Sequence, residues 1–201
     1  MSTTRSPSVA AAPIPADPLA ELAGVLASVL DQARTVIGSV GPGDLTLPTP
    51  CPGWDVGVVR DHLVGALEMF ASATAGPGPR AAGERPSERP SERLEAAGSA
   101  ALRGWAGLPA TATVDLPFGT FPVALGMTIN VVETFVHTCD LAVALGRTDL
   151  ISRPLCADVR RRACAAGFDA FRLPGMFGTE VPSPSTDELD RLLAYTGRVR
   201  A

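Results

Sequence analysis

Long segments in which apolar residues recur at the spacing of an α-helix are the dominant feature of this sequence. The first covers residues 19–40 and ends at Gly41-Pro42-Gly43. This spacing gathers the apolar side chains on one face of a helix, which must then be buried against another element. The same spacing predicts further helices over residues 56–75, 91–107, 122–145 and 155–172, with a shorter amphipathic piece at 187–195.

Helices of this length, joined partly by long loops, favour an all-α fold, namely an antiparallel four-helix bundle with an extra C-terminal helix. Residues 111–122 alternate and are β-branched around Phe118-Gly119, which predicts a small β-arm. We expect residues 1–16 to be a disordered tail and residues 17–201 to form a single helical domain. The Pro- and Gly-rich stretch 76–90 predicts a mobile loop.

Composition and charge exclude several classes of function. The chain is 46% apolar and 19% charged, which suits a globular protein with a sizeable core. A net charge of −4, the lack of a long basic run and 5% aromatic residues argue against nucleic acid as a partner. There is neither an uninterrupted apolar run of about 18 residues nor the apolar centre of a signal peptide. We therefore expect a cytoplasmic protein that does not bind membranes.

The cysteines do not predict a metal or redox centre. Cys51, Cys139, Cys156 and Cys164 show no CxxC spacing, so a cysteine-rich zinc module or a dithiol pair is not indicated. In a chain without an export signal we expect them to be reduced thiols.

Both histidines of the chain fall on the inward stripe of a predicted helix. His62 lies in the second helix, and Glu133, His137 and Asp140 share a sector of about 60° on the fourth. Ionisable side chains on an apolar face are costly unless something neutralises them. The inward faces therefore hold either mutually paired groups or a metal ion.

A divalent metal ion would satisfy these groups. Glu133 and His137 at i and i+4, together with His62 from a facing helix, give three ligands and leave one coordination position open, which is typical of catalytic sites. Two imidazoles and one carboxylate suit Zn²⁺, with Ni²⁺ or Fe²⁺ as substitutes. Asp140 is the candidate catalytic residue, which holds a metal-bound water or acts as a general base. The alternative is a simple Glu133–His137 pair, with His62 bonded to a carbonyl.

The sequence also predicts where several other cysteine, aromatic and basic residues lie. Cys51 and Trp54 are expected to pack the loop before the second helix, with a place in the substrate wall as the alternative. Trp105 is predicted to lie in the core and residues 118–121 to act as a lid, with a contact to the substrate as the alternative. The basic run at residues 160–162 predicts a solvated helix face, with an anion-binding clamp as the alternative.

Three sequence stretches resemble a known family. TPCPGWDVGVVRDHLVG (49–65) and ETFVHTCDLAVALGR (133–147) resemble the N-terminal domain of mycothiol-dependent maleylpyruvate isomerase, within the DinB-like superfamily. FGTEVPSPSTDELDRLLAYTGR (177–198) resembles the ending of a short, stand-alone metal-binding branch of that family. The resemblance extends over about residues 19–198.

The resemblance implies a DinB-like four-helix bundle whose zinc-type site has His62, Glu133 and His137 as ligands and Asp140 near the metal-bound water. It also implies that mycothiol binds as an activated thiolate at the open position. The isomerase has a second, C-terminal domain that supplies an essential arginine to the site. Arg147, Arg161 and Arg172 are candidates for this role, but none of them matches that arginine by motif.

We therefore expect a metal-dependent enzyme that uses a low-molecular-weight thiol, mycothiol, as a transferase or isomerase of a small electrophile. That electrophile is an epoxide, an unsaturated acid or another soft electrophile. Two alternatives stay open: a metal-binding protein without catalysis, and a metal-dependent hydrolase that uses bound hydroxide. A homodimer is compatible with the sequence, although no heptad seam stands out.

Overall fold

The computed structural model of the chain describes residues 18–75, 89–172 and 177–200. The predicted tail at 1–16 and nearly all of the predicted loop at 76–90 lie outside the described residues. The division into a tail and one domain therefore stays a prediction.

Six α-helices and one two-stranded sheet make up the described part of the chain. They are α1 (Pro18–Gly38), α2 (Val56–Thr74), α3 (Pro90–Ala106), β1 (Thr113–Leu116), β2 (Gly119–Pro122), α4 (Val123–Ala144), α5 (Arg153–Ala165) and α6 (Glu188–Tyr195). Single turns of 3-10 helix lie at Pro42–Asp44, Thr148–Leu150 and Phe168–Phe171. The predominantly helical class and the small β-arm are thereby confirmed. The antiparallel four-helix bundle stays a prediction.

Helices α1 to α4 surround the main core. α1 contacts α3 and α4, and α2 contacts the same two helices. Phe70, Phe135 and Trp105 are almost completely buried between them, so the prediction that Trp105 belongs to the core is confirmed. α5 and α6 contact each other and α4, which buries α4 on nearly all sides. None of the described helices is both long and apolar enough to span a bilayer.

Side-chain caps explain where several helices begin. The carboxylate of Asp55 accepts a hydrogen bond from the Val58 N–H at 2.9 Å at the start of α2. Asp187 does the same for the Leu189 N–H at 2.8 Å before α6. Each contact satisfies an N–H group in the first turn of its helix that has no partner within the helix.

One predicted helix ends early. The sequence spacing predicts a helix over 155–172, but α5 ends at Ala165 because Gly167 adopts a φ of +71°. A left-handed glycine after the last turn stops a helix. The chain then turns through Phe168–Phe171, which brings Phe171 and Arg172 to the wall of a cavity.

The β-arm connects α3 to α4. β1 and β2 pair antiparallel, with Thr113 opposite Pro122 and Leu116 opposite Gly119. Phe118 lies at the tip of the arm and borders the same cavity. The predicted role of residues 118–121 as a lid is not tested by this arrangement.

Candidate metal centre

The three predicted ligands meet between α2 and α4. His62 Nε2 lies 2.6 Å from Glu133 Oε1, and His137 Nε2 lies 3.3 Å from the same oxygen. Their potential ligand atoms all lie within 4.8 Å of one another. Ligand atoms around a tetrahedral zinc ion, each about 2.1 Å from the metal, are about 3.4 Å apart. The donor set therefore fits a divalent ion after small side-chain movements, and we call these residues the candidate triad.

The candidate triad is reached from one side. The exposed fraction of the side chain is 40% for His62, 19% for Glu133 and 6% for His137. His62 thus faces the open side, while His137 lies against the core. A centre with three protein ligands and one accessible side is the arrangement found in catalytic zinc sites.

The charges within the triad stabilise one another. Burial alone would raise the pKa of Glu133, but the charge and hydrogen bonds of His137, and then those of His62, outweigh burial and hold this pKa below its usual range. Burial alone would lower the pKa of His137, but Glu133 and Asp140 outweigh it and raise the pKa of His137 to about 9. Without a metal the triad therefore holds an ion pair at neutral pH.

Asp140 lies behind His137. Its Oδ2 is 3.0 Å from His137 Nδ1, and both carboxylate oxygens accept hydrogen bonds from Arg198 Nε at 2.9 Å. Asp140 is fully buried and does not line the cavity. A carboxylate bonded to the second ring nitrogen of a metal-ligating histidine fixes the tautomer and orientation of that ring. This placement differs from that of a base that meets a substrate.

Arg198 is a site residue that the sequence analysis did not single out. Its side chain is buried, and Nη1 also donates to the carbonyl of Thr196 at 3.0 Å. Arg198 follows Gly197, which has a φ of +80° and where a Cβ would lie 2.7 Å from the Gly178 Cα. Only glycine fits this turn, and the turn directs the guanidinium inward. The Gly-Arg pair in the C-terminal motif was the signal that could have identified it.

The loop before α2 covers the rings of both histidines. The Trp54 ring stacks on that of His137, with centroids 5.6 Å apart and an angle of 12°, and meets His62 edge-on at 4.7 Å. Cys51 lies 3.7 Å from Arg198 Nη2, and burial raises the pKa of its thiol while Arg198 offsets only part of that effect. Both Cys51 and Trp54 line the cavity, so they pack the loop and also form part of the wall. All four cysteines are free thiols.

A cavity of about 850 Å³ opens beside the candidate triad. Its size lies within the range of about 300–1,000 Å³ that is usual for small-molecule sites. α2, α4, the β-arm, the turn after α5 and the C-terminal segment all contribute to its lining. Its polar lining comprises the three triad residues together with Cys51, Arg172, Thr179 and Arg198.

Zinc binding to the metal-free chain at pH 7.5 is expected to release about one proton from His137. Its pKa of about 9 leaves this imidazole protonated at that pH, and a protonated nitrogen cannot bind a metal. Titration calorimetry in two buffers with different ionisation enthalpies measures the number of released protons. The release should decrease as the pH is raised through about 9, whereas buffer-independent heats at pH 7.5 would contradict the assignment.

The Asp140→Asn variant is expected to bind zinc about 10- to 100-fold more weakly at an unchanged stoichiometry. The neutral amide would hold the His137 ring less firmly than the carboxylate does. Competition with a chromophoric chelator measures the affinity. Asp149→Asn, at an exposed carboxylate paired with Arg147, is the matched control. Equal zinc affinities of the two variants would contradict the orienting role of Asp140.

Comparisons with known proteins bear on the same residues. The family model described as "Mycothiol maleylpyruvate isomerase N-terminal domain" matches residues 26–142, which is more than half of the chain. Two uncharacterized proteins, from two strains of Mycobacterium tuberculosis, are each 28% identical over 174 residues, covering 84% of this chain and 92% of theirs. No solved structure matches the chain significantly. The matched range contains the candidate triad and Asp140 but not Arg198.

Proposed function

The chain belongs to the mycothiol maleylpyruvate isomerase N-terminal domain family, and from this premise we propose that it is a metal-dependent enzyme that uses a low-molecular-weight thiol. In this proposal the thiol is mycothiol, and the enzyme transfers it to a small electrophile or isomerises that electrophile. His62, Glu133 and His137 hold one divalent ion, Zn²⁺ or a similar metal such as Ni²⁺.

The convergence of the three side chains beside an open cavity carries this proposal. When bound, the ion supplies a Lewis acid that lowers the pKa of a thiol, so that the thiolate predominates near neutral pH. A purely structural zinc site is usually closed by a fourth protein ligand. Here the triad faces the cavity instead, which favours catalysis over mere metal storage.

The surrounding residues orient the ligands. Asp140 and Arg198 fix the ring of His137 from behind, and Trp54 covers the faces that the metal does not use. Among the described residues that line the cavity, Glu133 is the only carboxylate. The proton of the thiol therefore leaves to solvent on the exposed side at His62. In this mechanism Asp140 is a positioning residue rather than the general base considered from the sequence.

A conjugation assay tests the proposal. Mycothiol and monobromobimane are incubated with the zinc-loaded protein: a carbon–sulfur bond forms, bromide leaves and the thiol proton is released. We expect a rate above the uncatalysed reaction that falls at least about a hundredfold in His62→Ala and Glu133→Ala. Asp61→Ala, at the exposed neighbour of His62, is the matched control and should keep the rate.

A second assay, hydrolysis of an ester or amide with and without thiol, separates the two alternatives. Activity on an ester or amide that is equal with and without thiol would identify a hydrolase. A zinc-loaded protein without activity in either assay would identify a metal-binding protein without catalysis.

A further inference from the structure

We propose that the cavity beside the candidate triad binds an uncharged, apolar electrophile of the aryl type, rather than an unsaturated carboxylic acid. That the ligand is an electrophile rests on the proposed function. The preference for an apolar, uncharged ligand rests only on the cavity wall, and can be tested without turnover.

The helices that carry the triad continue into an apolar lining. On α2, Ala66 and Met69 lie one and two turns beyond His62 on the same face. On α4, Ile129 lies one turn before Glu133. A ligand that reaches the triad must therefore lie along aliphatic and thioether groups, which do not hydrogen-bond to a carboxylate.

Three phenylalanines from different elements form a second part of the lining. Phe118 of the β-arm, Phe171 of the turn after α5 and Phe177 all border the cavity. Phe121 links Phe118 to Phe171, with ring centroids 5.6 and 5.8 Å apart, and Phe168 links Phe171 to Phe177 at 5.2 and 5.4 Å. We call these five rings the aromatic wall. Rings at such distances offer edges and faces on which another aryl group stacks favourably.

The arginine Arg198 at the cavity is already neutralised. Its Nε donates to the buried carboxylate of Asp140, Nη1 donates to the Thr196 carbonyl, and Nη2 contacts Cys51 Sγ at 3.7 Å. The side chain is only 5% exposed, so a carboxylate ligand would have to draw the guanidinium towards the cavity and away from Asp140. Such a movement would leave a buried charge without its partner, which is strongly unfavourable.

The second arginine at the cavity, Arg172, is also engaged. It donates to Asp169 at 2.7 Å and to the carbonyls of Gly178 and Tyr195 at 2.6 and 2.8 Å, and it lies 4.8 Å from the centre of the Tyr195 ring. Its Nη2 has no partner among the described residues, but this atom is shut off from solvent and so does not face the open cavity. The described wall therefore lacks the free guanidinium fork that usually binds a carboxylate.

Calorimetric titration with two unreactive probes compares the two ligand classes. 4-Nitrotoluene is uncharged and has no leaving group, whereas maleate is an unsaturated dicarboxylate. Both are titrated without thiol into the zinc-loaded protein and, because maleate can bind zinc directly, into the metal-free protein as well. We expect 4-nitrotoluene to saturate one site and maleate to bind at least about tenfold more weakly to the metal-free protein.

Two cavity variants and one control locate the binding. Met69→Lys places a cation in the apolar lining and should weaken 4-nitrotoluene binding at least about tenfold while strengthening maleate binding. Val58→Lys changes an exposed residue of the same helix (46% exposed) and should alter neither. Phe118→Ala removes a ring that is 43% exposed, so the fold should tolerate it, and should weaken 4-nitrotoluene binding several-fold. Phe118→Ala keeps the test decisive if Met69→Lys does not fold.

Each result decides the proposal. Preferential binding of 4-nitrotoluene that both cavity variants weaken supports it. Maleate binding to the metal-free protein as tightly as 4-nitrotoluene, or 4-nitrotoluene binding that neither variant changes, overturns it. Because neither probe reacts, these results are independent of whether mycothiol conjugation is observed, and a failed conjugation assay leaves them intact.

Discussion

The His137→Ala variant is expected to retain less than about 0.1 equivalent of zinc, whereas the unchanged chain should hold about one equivalent. His137 is the most buried member of the candidate triad, and its Nε2 lies 3.3 Å from Glu133 Oε1. Without it, only one imidazole and one carboxylate remain, and these do not hold zinc tightly at neutral pH. Elemental analysis of the purified proteins measures the loss, and thiol conjugation should fall at least about a hundredfold with it.

A control and a stability measurement make this result interpretable. Asp61→Ala, next to His62 on the exposed side of α2, should keep the full equivalent. The melting curve of metal-free His137→Ala should remain cooperative, because Asp140 keeps its ion pair with Arg198. A variant that is folded and still holds one equivalent would refute the assignment of His137. An unchanged chain that is folded and never binds zinc would refute the metal centre itself.

The Arg198→Met variant is expected to lose about 3–5 kcal/mol of unfolding free energy. In the unchanged chain the Arg198 guanidinium is paired with Asp140, and both side chains are buried. Methionine fills similar space but leaves a buried carboxylate without its cation. Urea denaturation of the metal-free protein measures the change. Arg200→Met, two residues on, removes an arginine from a more exposed pair with Asp190 and should cost less than about 1 kcal/mol.

The second partner of this ion pair makes the test stricter. The double variant Asp140→Asn, Arg198→Met should lose less unfolding free energy than the two single variants lose together, because it leaves neither charge unpaired. If Arg198→Met costs no more than Arg200→Met, the buried pair contributes nothing to stability. The argument that Arg198 holds Asp140 against His137 would then fail.

Local sequence signals were sufficient for most helices. α2 was predicted over 56–75 and extends over Val56–Thr74, since the apolar spacing and the Asp55 cap both act within a few residues. The exception is α5, whose end depends on one left-handed glycine, Gly167. Gly167 is visible in the sequence, but the residues on either side of it continue the helical spacing, which predicted a longer helix.

The spacing predicted His62, Glu133 and His137 as candidate ligands on α2 and α4, and the resemblance implied the same three residues. Asp140 falls in the same helical sector as Glu133 and His137, yet it contacts Arg198 and not the cavity. A helical wheel does not distinguish a side chain that lines the cavity from one that pairs with another buried residue. α5 and α6 also cover α4, so this helix has buried surfaces on more than one side.

The amino-acid sequence by itself determined the helices, the β-arm and the shared helical sector of Glu133 and His137, because spacing and capping act over one or two helical turns. The sequence also placed His62 on the core-facing stripe of α2, whereas the structure leaves its side chain 40% exposed at the open side of the triad. Only the tertiary structure brought Arg198 to Asp140, 58 residues earlier in the chain, and joined the aromatic wall from separate elements. Contacts of this kind depend on how turns such as that at Gly197 direct distant segments over the core. No local pattern records that direction, which is why the cavity and its apolar character became visible only in the folded chain.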